Sequence, residues 1–463
     1  MIHVPEDTVR SSPHAQDSGQ SRRIAVVGTG ISGLSCAWLL SGRHQVTVFD
    51  GEPRPGGHSH TVDAPVAPGA DAQVPVDTGF IVYNEAAYPN LTALFAHLGV
   101  PTDATDMSFA VSLDGGALEY AGTDLGGLFA QKRNLLRPRF WRMLQELLRF
   151  YREAPRDAQA AGSQALDEYL DARGYSRAFR DDHLYPMAAA IWSSPAAQVG
   201  RHPMAAFVRF CENHGLLQIS GRPVWRTVRG GSREYVRRLS QPIADRLRLG
   251  QAVLEVRRDA DGVRLRTSGG WWPERFDDVV LAAHTDQSLR LLADPSAEEK
   301  RLLGAFAYTR NLAVLHRDRA LMPQRRAVWS SWNYLARRGS GAPPTVSYWM
   351  NRLQPHLPQG DDAQALFVTL NPSVAPRPEH LLRTEVYEHP LFDAAAMAAQ
   401  RQLWRLQGVR RTCFCGAYFG AGFHEDGLQA GLAVAETLGG VRRPWQVPQE
   451  SGRIHLLPEL LAP

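Results

Sequence analysis

The sequence has few cysteines, no long apolar run and no secretory leader. Its four cysteines are too few and too irregularly spaced for a disulfide framework: Cys36, Cys211, Cys413 and Cys415. No stretch of about eighteen apolar residues occurs, which excludes an ordinary membrane-spanning helix. Residues 1–21 are polar and lack the apolar core of a signal peptide. These absences predict a cytoplasmic protein with a disordered leader over residues 1–21.

Lysine is nearly absent as well, because only Lys132 and Lys300 stand among 51 basic residues. The formal net charge is +4 and the basic residues are spread along the chain, so no nucleic-acid footprint is predicted. Cys413 and Cys415 have no nearby set of partner ligands, and no metal site is predicted either. A length of 463 residues and a hydrophobic content of 44% are sufficient for two domains with sizeable cores.

A glycine-rich turn near the N-terminus follows a run of β-branched and small apolar residues, 24–27. Its glycine spacing lets the backbone turn sharply and approach a pyrophosphate at a helix N-terminus. A second apolar strand, 45–49, ends in an acid 22 residues after Gly28, where a carboxylate can accept hydrogen bonds from a ribose. This context predicts a dinucleotide site, and the alternative is a glycine-rich turn without a ligand. The predicted cofactor-binding positions are Gly28, Gly30, Ile31, Ser32, Gly33 and Asp50.

The segment that begins at Asp50 resembles a known extension of this motif. Asp50-Gly51-Glu52-Pro53-Arg54-Pro55-Gly56-Gly57 is similar to the ExxxRxGG pattern of the flavin amine oxidase and carotenoid desaturase superfamily. The resemblance implies FAD as the cofactor. In that superfamily the arginine and the paired glycines lie along the phosphates and the flavin edge. The positions carried over to this role are Gly51, Arg54, Gly56, Gly57 and His58.

Later segments share the resemblance. The words GGHSHT, VDTGFIVYN, YEHPLF and GFHEDGLQAG look most like a bacterial group of NAD/FAD-dependent oxidoreductases within the superfamily. The resemblance implies that segment 77–80 lies beside the isoalloxazine, although a β-bulge in a core sheet is the alternative. It also implies a late helix whose dipole is aimed at the flavin. The further cofactor positions it implies are Thr78, Gly79, Phe80, Val253, Ala282, Gly416, Gly427, Leu428 and Gln429.

Two positions depart from the amine oxidase pattern. Ala417 stands where an acidic residue usually follows the late glycine, and Glu425 or Asp426 could substitute for it. Strand 309–314 contains no lysine, whereas amine oxidases commonly place one near the flavin N5. Simple amine oxidation is therefore not the favoured prediction.

The expected fold class is α/β, with a Rossmann-like FAD-binding domain assembled from separated segments and a substrate domain with a mixed sheet and a helical cap. The predicted FAD-binding segments are 22–90, 221–298 and 405–440. The predicted substrate-domain segments are the helical cap, 91–220, and the sheet, 299–404. Residues 441–463 are predicted to form a C-terminal tail.

Aromatic, strand-like segments within 299–404 indicate a pocket for a long apolar substrate, although they equally suit an ordinary sheet packed on helices. The predicted substrate-contacting residues are Tyr83, Trp192, Trp332, Asn333, Tyr348 and Asn351. A basic amphipathic helix, 140–151, can lie on an anionic membrane surface. Its favoured interpretation is nevertheless the cap of the substrate domain, with a solvated basic face.

The predicted activity is that of a FAD-dependent oxidoreductase that moves hydride from a C–H bond of a lipid-like substrate, an acyl chain or an isoprenoid, to flavin N5. His424 and Glu425 are the catalytic candidates, and their alternative role is to cap the helix or hold the flavin. His284 and His389 are weaker candidates. The alternatives are an amine or amino-acid oxidase and a non-catalytic flavin-binding partner of a lipid-modifying enzyme. The expected partner is a hydrophobic small molecule, with peripheral contact at the inner face of the membrane left open.

Overall fold

The computed structural model describes residues 20–162, 164–192, 199–219, 221–339, 344–359 and 364–456. Residues 1–19 of the predicted leader lie outside the described residues, and so does the side chain of Trp192. Within the described ranges, no helix is long and apolar enough to cross a membrane.

The strands of the described residues are short and occur along the whole chain. In chain order they are β1 Arg23–Val27, β2 Gln45–Phe49, β3 Thr61–Pro65, β4 Gln73–Asp77, β5 Val82–Asn84, β6 Thr102–Thr105, β7 Phe109–Leu113, β8 Leu118–Ala121, β9 Trp225–Val228, β10 Leu247–Arg248, β11 Val253–Asp259, β12 Gly262–Thr267, β13 Gly270–Trp271, β14 Asp278–Leu281, β15 Ala307–His316, β16 Trp332–Ala336, β17 Thr345–Trp349, β18 Phe367–Leu370, β19 Leu381–Leu391 and β20 Thr412–Phe414.

The α-helices of the same residues are concentrated between residues 125 and 240. They are α1 Ile31–Leu40, α2 Pro89–Leu98, α3 Leu125–Leu128, α4 Pro138–Asp157, α5 Leu166–Ala172, α6 Arg177–Phe179, α7 Tyr185–Trp192, α8 Met204–Asn213, α9 Arg233–Ser240, α10 Thr285–Leu291, α11 Ala297–Leu303, α12 Met350–Leu353, α13 Ala394–Gln400 and α14 His424–Thr437.

The chain divides into two compact units, each assembled from separated segments. Unit 1 comprises residues 1–55, 240–305 and 398–463, and unit 2 comprises 56–239 and 306–397. The two units are defined by which parts of the backbone contact each other. The segments predicted from the sequence are defined instead by whether they bind the cofactor. Those bounds stay a prediction, but the α/β class with a parallel sheet and a separate mixed sheet is confirmed.

Unit 1 is built on a parallel sheet in the order β10-β2-β1-β14-β20. The central strand β1 is almost wholly buried, which explains its run of β-branched and small residues. Helices α1 and α14 pack closely together, and a Cβ added at Gly431 would lie 2.2 Å from the Ser32 carbonyl oxygen. Alternating residues on either side of the turn-forming residues 259–262 predict a hairpin, and the antiparallel strands β11 and β12 form it, with the turn at Ala260 and Asp261.

Unit 2 is built on a mixed sheet in the order β19-β15-β18-β17-β16-β7-β8. Neighbours in this sheet pair antiparallel except for β16 and β7. Helix α4 buries one side, through Phe140, Met143 and Phe150, and exposes the other. It packs against α6 and α8, which agrees with the cap interpretation of the basic helix.

Two element boundaries and one burial pattern differ from what the residues predict. The late glycine-rich segment predicts a helix over 428–438, but α14 begins at His424. The alternation of large apolar and polar residues over 345–353 predicts a half-buried strand, but β17 ends at Trp349, where the chain turns into the short helix α12. Strand β17 is buried on both sides before Trp349, whereas β16 is half-buried, with Asn333 and Tyr334 as its buried residues.

Candidate functional site

Two glycines of the turn after β1 lie in close contact with neighbouring backbone. Gly28 has φ +110° and donates its N–H to the Phe49 carbonyl at 2.8 Å. A Cβ at Gly28 would lie 2.6 Å from the Ala282 carbonyl oxygen, and one at Gly33 would lie 2.0 Å from the Gly28 carbonyl oxygen. Both positions therefore need glycine for the fold of unit 1 itself.

Gly30 differs from these two glycines because a Cβ there would meet no described atom of the chain within 4 Å. Its φ of −64° is also open to any residue, so neither the backbone nor the local packing accounts for the glycine. Gly30 precedes α1, whose first turn contains Ile31 and Ser32 and has no side-chain cap. The open backbone at an uncapped helix N-terminus fits a pyrophosphate, as the dinucleotide prediction requires.

Asp50 links the end of β2 to the glycine turn. One carboxylate oxygen, Oδ2, accepts hydrogen bonds from Thr29 N at 2.8 Å and Thr29 Oγ1 at 2.5 Å. The other, Oδ1, accepts from Glu52 N at 2.9 Å. The carboxylate therefore fixes the position of the turn, and its predicted contact with a ribose stays a prediction.

The N-terminal turn of α14 contains two buried acids. Asp426 accepts a hydrogen bond from Phe423 N at 2.8 Å and caps the helix, while Arg453 Nε donates to its Oδ1 at 2.6 Å. Burial raises the pKa of the Asp426 carboxyl, and Arg453 opposes that effect. Glu425 accepts a hydrogen bond from Gln429 Nε2 at 2.9 Å. Arg453 was not anticipated, since it lies in the predicted tail and no motif indicates it.

The remaining cofactor candidates of unit 1 lie around this framework. A Cβ at Gly427 would lie 3.1 Å from Ile31 Cγ2, so the start of α14 packs against the start of α1. A Cβ at Gly416 would lie 2.4 Å from Tyr418 Cε1. Gly51 faces the Ala252 side chain, and Val253, Ala282 and Leu428 lie in strands, loops and helices of the same unit. Their roles in FAD binding, like that of Arg54, stay predictions.

In unit 2, three of the sequence segments that carry the family resemblance lie close together. The Thr78 hydroxyl lies 2.7 Å from the Tyr387 hydroxyl, and His60 Nδ1 lies 3.2 Å from it. The His58 ring lies 5.2 Å from the Tyr387 ring and 5.6 Å from the His389 ring, measured between centroids. GGHSHT, VDTGF and YEHPLF are therefore parts of one cluster, which their separation in sequence does not reveal.

Gly79 allows two of these segments to approach each other closely. A Cβ at Gly79 would lie 2.0 Å from the His58 carbonyl oxygen, and the next residue, Phe80, donates its N–H to that oxygen at 2.8 Å. Gly56 has φ +115° and Gly57 has φ +55°, so both favour glycine. The predicted contacts of these residues with FAD stay predictions.

A hydrogen-bonded chain fixes the His389 imidazole in its neutral form. Asn311 Oδ1 accepts a hydrogen bond from Asn371 Nδ2 at 2.8 Å, so Asn311 Nδ2 faces His389 Nδ1 at 3.0 Å and donates to it. The hydrogen of the neutral imidazole is then on Nε2. Burial, together with His58, lowers the pKa of His389 to about 3. Asn311 and Tyr387 were missed from the sequence, although Tyr387 lies beside His389 in YEHPLF.

The mixed sheet has an apolar face, which we define by two rows of paired residues running from β15 to β7. The first row is Ala313, Leu370, Val346, Tyr334 and Val111. The second row is Leu315, Val368, Tyr348, Trp332 and Phe109. Side chains of directly paired residues point to the same side of a sheet, so these ten form one surface.

A row of polar side chains lies on the opposite face of β16, β17 and β18. Asn333 pairs with Ser347, and Ser347 pairs with Thr369. The hydroxyls of Ser347 and Thr369 lie 2.8 Å apart, and His316 Nε2 lies 2.7 Å from Thr369 Oγ1. Asn333 donates to the carbonyl oxygens of Ser330 and Ser347 at 2.6 and 2.9 Å. The structure therefore brings Trp332 and Tyr348 together but places Asn333 on the other side of the sheet.

The other predicted substrate residues of unit 2 lie elsewhere. Tyr83 is buried and its ring packs edge-on against Phe95 at 5.3 Å. Asn351 donates to the carbonyl oxygens of Pro358 and Gln364, at 2.8 and 3.0 Å, and thus closes a loop. Their substrate roles, and that of Trp192, stay predictions. In the part of the chain that the structure describes, no group of His, Cys, Asp and Glu could hold a metal ion.

A family model described as flavin-containing amine oxidoreductase matches residues 31–438. The chain belongs to this family. As a member, it is a FAD-dependent oxidoreductase, and the cofactor and the family resemblance expected from the motifs are confirmed. No curated protein matches the sequence.

Solved structures similar to this flavin oxidoreductase cover nearly all of it. A putative protoporphyrinogen oxidase from Exiguobacterium sp. 255-15 is 16% identical with a TM-score of 0.62, over 91% of this chain and 99% of that chain. A fatty acid isomerase from P. acnes that produces CLA is 14% identical with a TM-score of 0.62, over 90% and 97%. Wild-type putrescine oxidase bound to putrescine is 14% identical with a TM-score of 0.62, over 90% and 99%. At these identities the likeness shows the fold alone.

Proposed function

We propose that this FAD-dependent oxidoreductase acts on a hydrophobic, lipid-like substrate, an acyl chain or an isoprenoid, and removes hydride from one of its C–H bonds. The observation that carries the proposal is the apolar face of the mixed sheet, where ten aliphatic and aromatic side chains are adjacent across five strands. Eight of these side chains are buried within the described chain, and the two partly exposed ones, Trp332 and Phe109, are directly paired. A hydrocarbon that contacts the face at these two residues gains about 25 cal/mol for each Å² of apolar surface that it buries.

The charges of the same sheet argue against a cationic amine. On the side of the described strands that carries the apolar face, the carboxylate is that of Glu385, which pairs with Ala313. Arg383 Nε donates to Glu385 Oε1 at 2.6 Å, and His60 lies 3.8 Å from it. A protonated amine would have to compete with Arg383 for this acid. An uncharged substrate does not need a carboxylate, and the proposed class therefore suits the surface better.

The bound FAD supplies the two-electron acceptor, and the chain's own residues orient the substrate and move the proton. His424 and Glu425 remain the proposed groups for that proton. Glu425 is fully buried and held by Gln429, whereas the adjacent His424, at the first position of α14, is partly exposed. Such a pair can connect a buried carboxylate with solvent. Capping of α14 is the alternative role, and Asp426 already serves as its cap.

Amine oxidation stays the second candidate because the family includes it and because putrescine oxidase has the same fold. A fatty acid isomerase shares that fold to a similar degree, so the comparisons do not distinguish the two substrate classes. A lipid substrate would be found in a bilayer. We therefore also propose that the protein is cytoplasmic and contacts the inner face of the membrane.

The deciding experiment is anaerobic flavin absorption on the purified protein. Fatty acids and isoprenoid alcohols in detergent are added to one series, and primary amines and amino acids to another. Bleaching by lipids alone is the expected result. Bleaching by amines, with peroxide released in air, would overturn the lipid class, and flavin that stays oxidised with both series would favour a non-catalytic partner role.

Two tryptophans provide a matched pair for the same assay. Trp332 lies on the apolar face, whereas Trp349 lies on the opposite face and packs against Trp329 and Phe367. Trp332→Phe is expected to raise the half-saturating lipid concentration by about fivefold, because about 1 kcal/mol of apolar contact is lost. Trp349→Phe should leave it unchanged. His424→Gln should slow bleaching while the bound flavin is retained.

A further inference from the structure

On the outward side of helix α4, the Trp141 ring packs against the Phe129 ring with centroids 5.4 Å apart, and the side chains further along this side are exposed. Its buried side is apolar, through Phe140, Met143 and Phe150. The exposed positions recur every three or four residues, as one face of a helix requires. After the first turn, where Pro138 and Arg139 are exposed, they are Trp141, Arg142, Gln145, Leu148, Arg152 and Arg156. This face thus mixes large apolar side chains with arginine.

An apolar wedge, which we define as Leu135, Leu136 and Trp141, stands at the N-terminal end of this face. These side chains are 48%, 86% and 43% exposed. The Trp141 indole N–H donates to the Leu135 carbonyl at 2.8 Å, and one part of its ring packs against Phe129. Because this hydrogen bond satisfies the N–H within the chain, the exposed part of the ring can enter an apolar environment without leaving a polar group unpaired.

The charge around the wedge is strongly positive. Between Lys132 and Arg156 the chain has eight basic residues and two acidic ones, Glu146 and Glu153. Glu146 is buried and accepts hydrogen bonds from Ser176 N and Oγ at 2.9 and 2.6 Å and from Arg142 Nε at 3.2 Å, and Glu153 accepts one from Arg152 at 3.1 Å. The basic residues still outnumber these two acids by six. Arginines bind phosphate oxygens through paired hydrogen bonds, which matches this surface to phospholipid headgroups.

We propose that the outward face of α4 and the apolar wedge dock the protein on a bilayer of anionic phospholipids. The wedge enters the boundary between headgroups and acyl chains, and the arginines lie at the phosphates. The inference deepens the proposed function and rests on it for the reason to visit a membrane, since a lipid substrate would be taken from there. Docking itself needs no turnover, and it can therefore be tested separately from the substrate.

The test is flotation of the full-length flavoprotein with vesicles of pure phosphatidylcholine and with vesicles of equal parts phosphatidylcholine and phosphatidylglycerol. Binding is expected for the anionic vesicles, and it should weaken as salt shortens the Debye length to about 3 Å at 1 M. Leu136→Asp should lower the partition coefficient by about tenfold. Arg142→Ser combined with Arg152→Ser should lower it by about thirtyfold at low salt, since each charge contributes roughly fivefold.

Val374→Asp is the matched control, because Val374 is 71% exposed and lies between β18 and β19, away from the wedge in sequence. It should float like the unaltered protein, and all variants should keep the same flavin spectrum and thermal midpoint. Quenching of tryptophan fluorescence by brominated phospholipid should be reduced in Trp141→Phe.

Three results would overturn the docking proposal: no binding to either vesicle, equal binding to neutral and anionic vesicles, or unchanged binding of both surface variants. Self-association that is abolished by Leu136→Asp in the absence of vesicles would identify the wedge as a contact between copies and would also overturn it. Vesicle binding without lipid oxidation would support the docking surface and contradict the proposed substrate class. Lipid oxidation without vesicle binding would support the substrate class and contradict the docking surface.

Discussion

Alanine at Gly30 and alanine at Gly33 are expected to have opposite effects on folding and on FAD binding. At Gly33 the new Cβ would lie 2.0 Å from the Gly28 carbonyl oxygen and 3.1 Å from the Ala282 Cβ, so backbone must move. Overpacking of this kind costs about 1–3 kcal/mol or more, and we expect the upper end because the contacted oxygen belongs to the backbone. Gly33→Ala should therefore lower the free energy of unfolding even without the cofactor.

Gly30→Ala should change the stability of the apoprotein by less than about 1 kcal/mol, because alanine adopts its φ of −64° without strain but is a poorer N-cap residue than glycine. The added methyl would occupy the open space predicted to face the pyrophosphate. Overlap there would weaken FAD binding by about 1–3 kcal/mol, or roughly fivefold to 150-fold.

Two measurements separate the effects: urea unfolding of the flavin-free proteins, and titration of each with FAD followed by quenching of flavin fluorescence. The expected pattern is a large loss of stability for Gly33→Ala and an isolated loss of FAD affinity for Gly30→Ala. Unaltered FAD affinity in Gly30→Ala would refute the assignment of this open turn to the pyrophosphate. An unaltered unfolding midpoint in Gly33→Ala would refute the close contact with Gly28.

Two further predictions concern buried charge. Arg258 and Glu299 are 1% and 2% exposed and pair at 2.5 Å. Burial raises the pKa of Glu299, but Arg258 and Ser296 together outweigh it and hold that pKa below its ordinary value. Arg258→Met should cost about 3–5 kcal/mol in urea unfolding above pH 5, whereas Arg301→Met at an exposed pair should change little. Burial and His58 lower the pKa of His389 from 6.5 to about 3. Between these pH values the imidazole is protonated in the unfolded chain but neutral in the folded protein. The free energy of unfolding therefore falls as pH drops from 6.5 toward 3. His389→Gln should reduce this slope by about 1.4 kcal/mol per pH unit, and an unchanged slope would contradict the buried, neutral imidazole.

The sequence alone determined the local and periodic features of this protein. A buried parallel strand, a glycine turn and an acid at a set distance occur in consecutive residues, so the motif around Gly28 and Asp50 predicted the dinucleotide site, and the family match agrees with it. Likewise, Ala260 and Asp261 between alternating strands predicted the hairpin β11–β12. In each case the interactions that define the element lie within a few residues or follow one short repeat.

Tertiary structure decided which residues meet across long stretches of chain and which face each one occupies. The cluster of His58, Thr78, Tyr387 and His389 joins segments about 300 residues apart, and chain spacing carries no information about such pairing. Asn333 was placed beside Trp332 from the sequence, yet adjacent residues of a strand point to opposite sides, and only the strand register identifies the side that is apolar. The outward face of α4 became visible in the same way, because its helical period is local but what packs on each side is not.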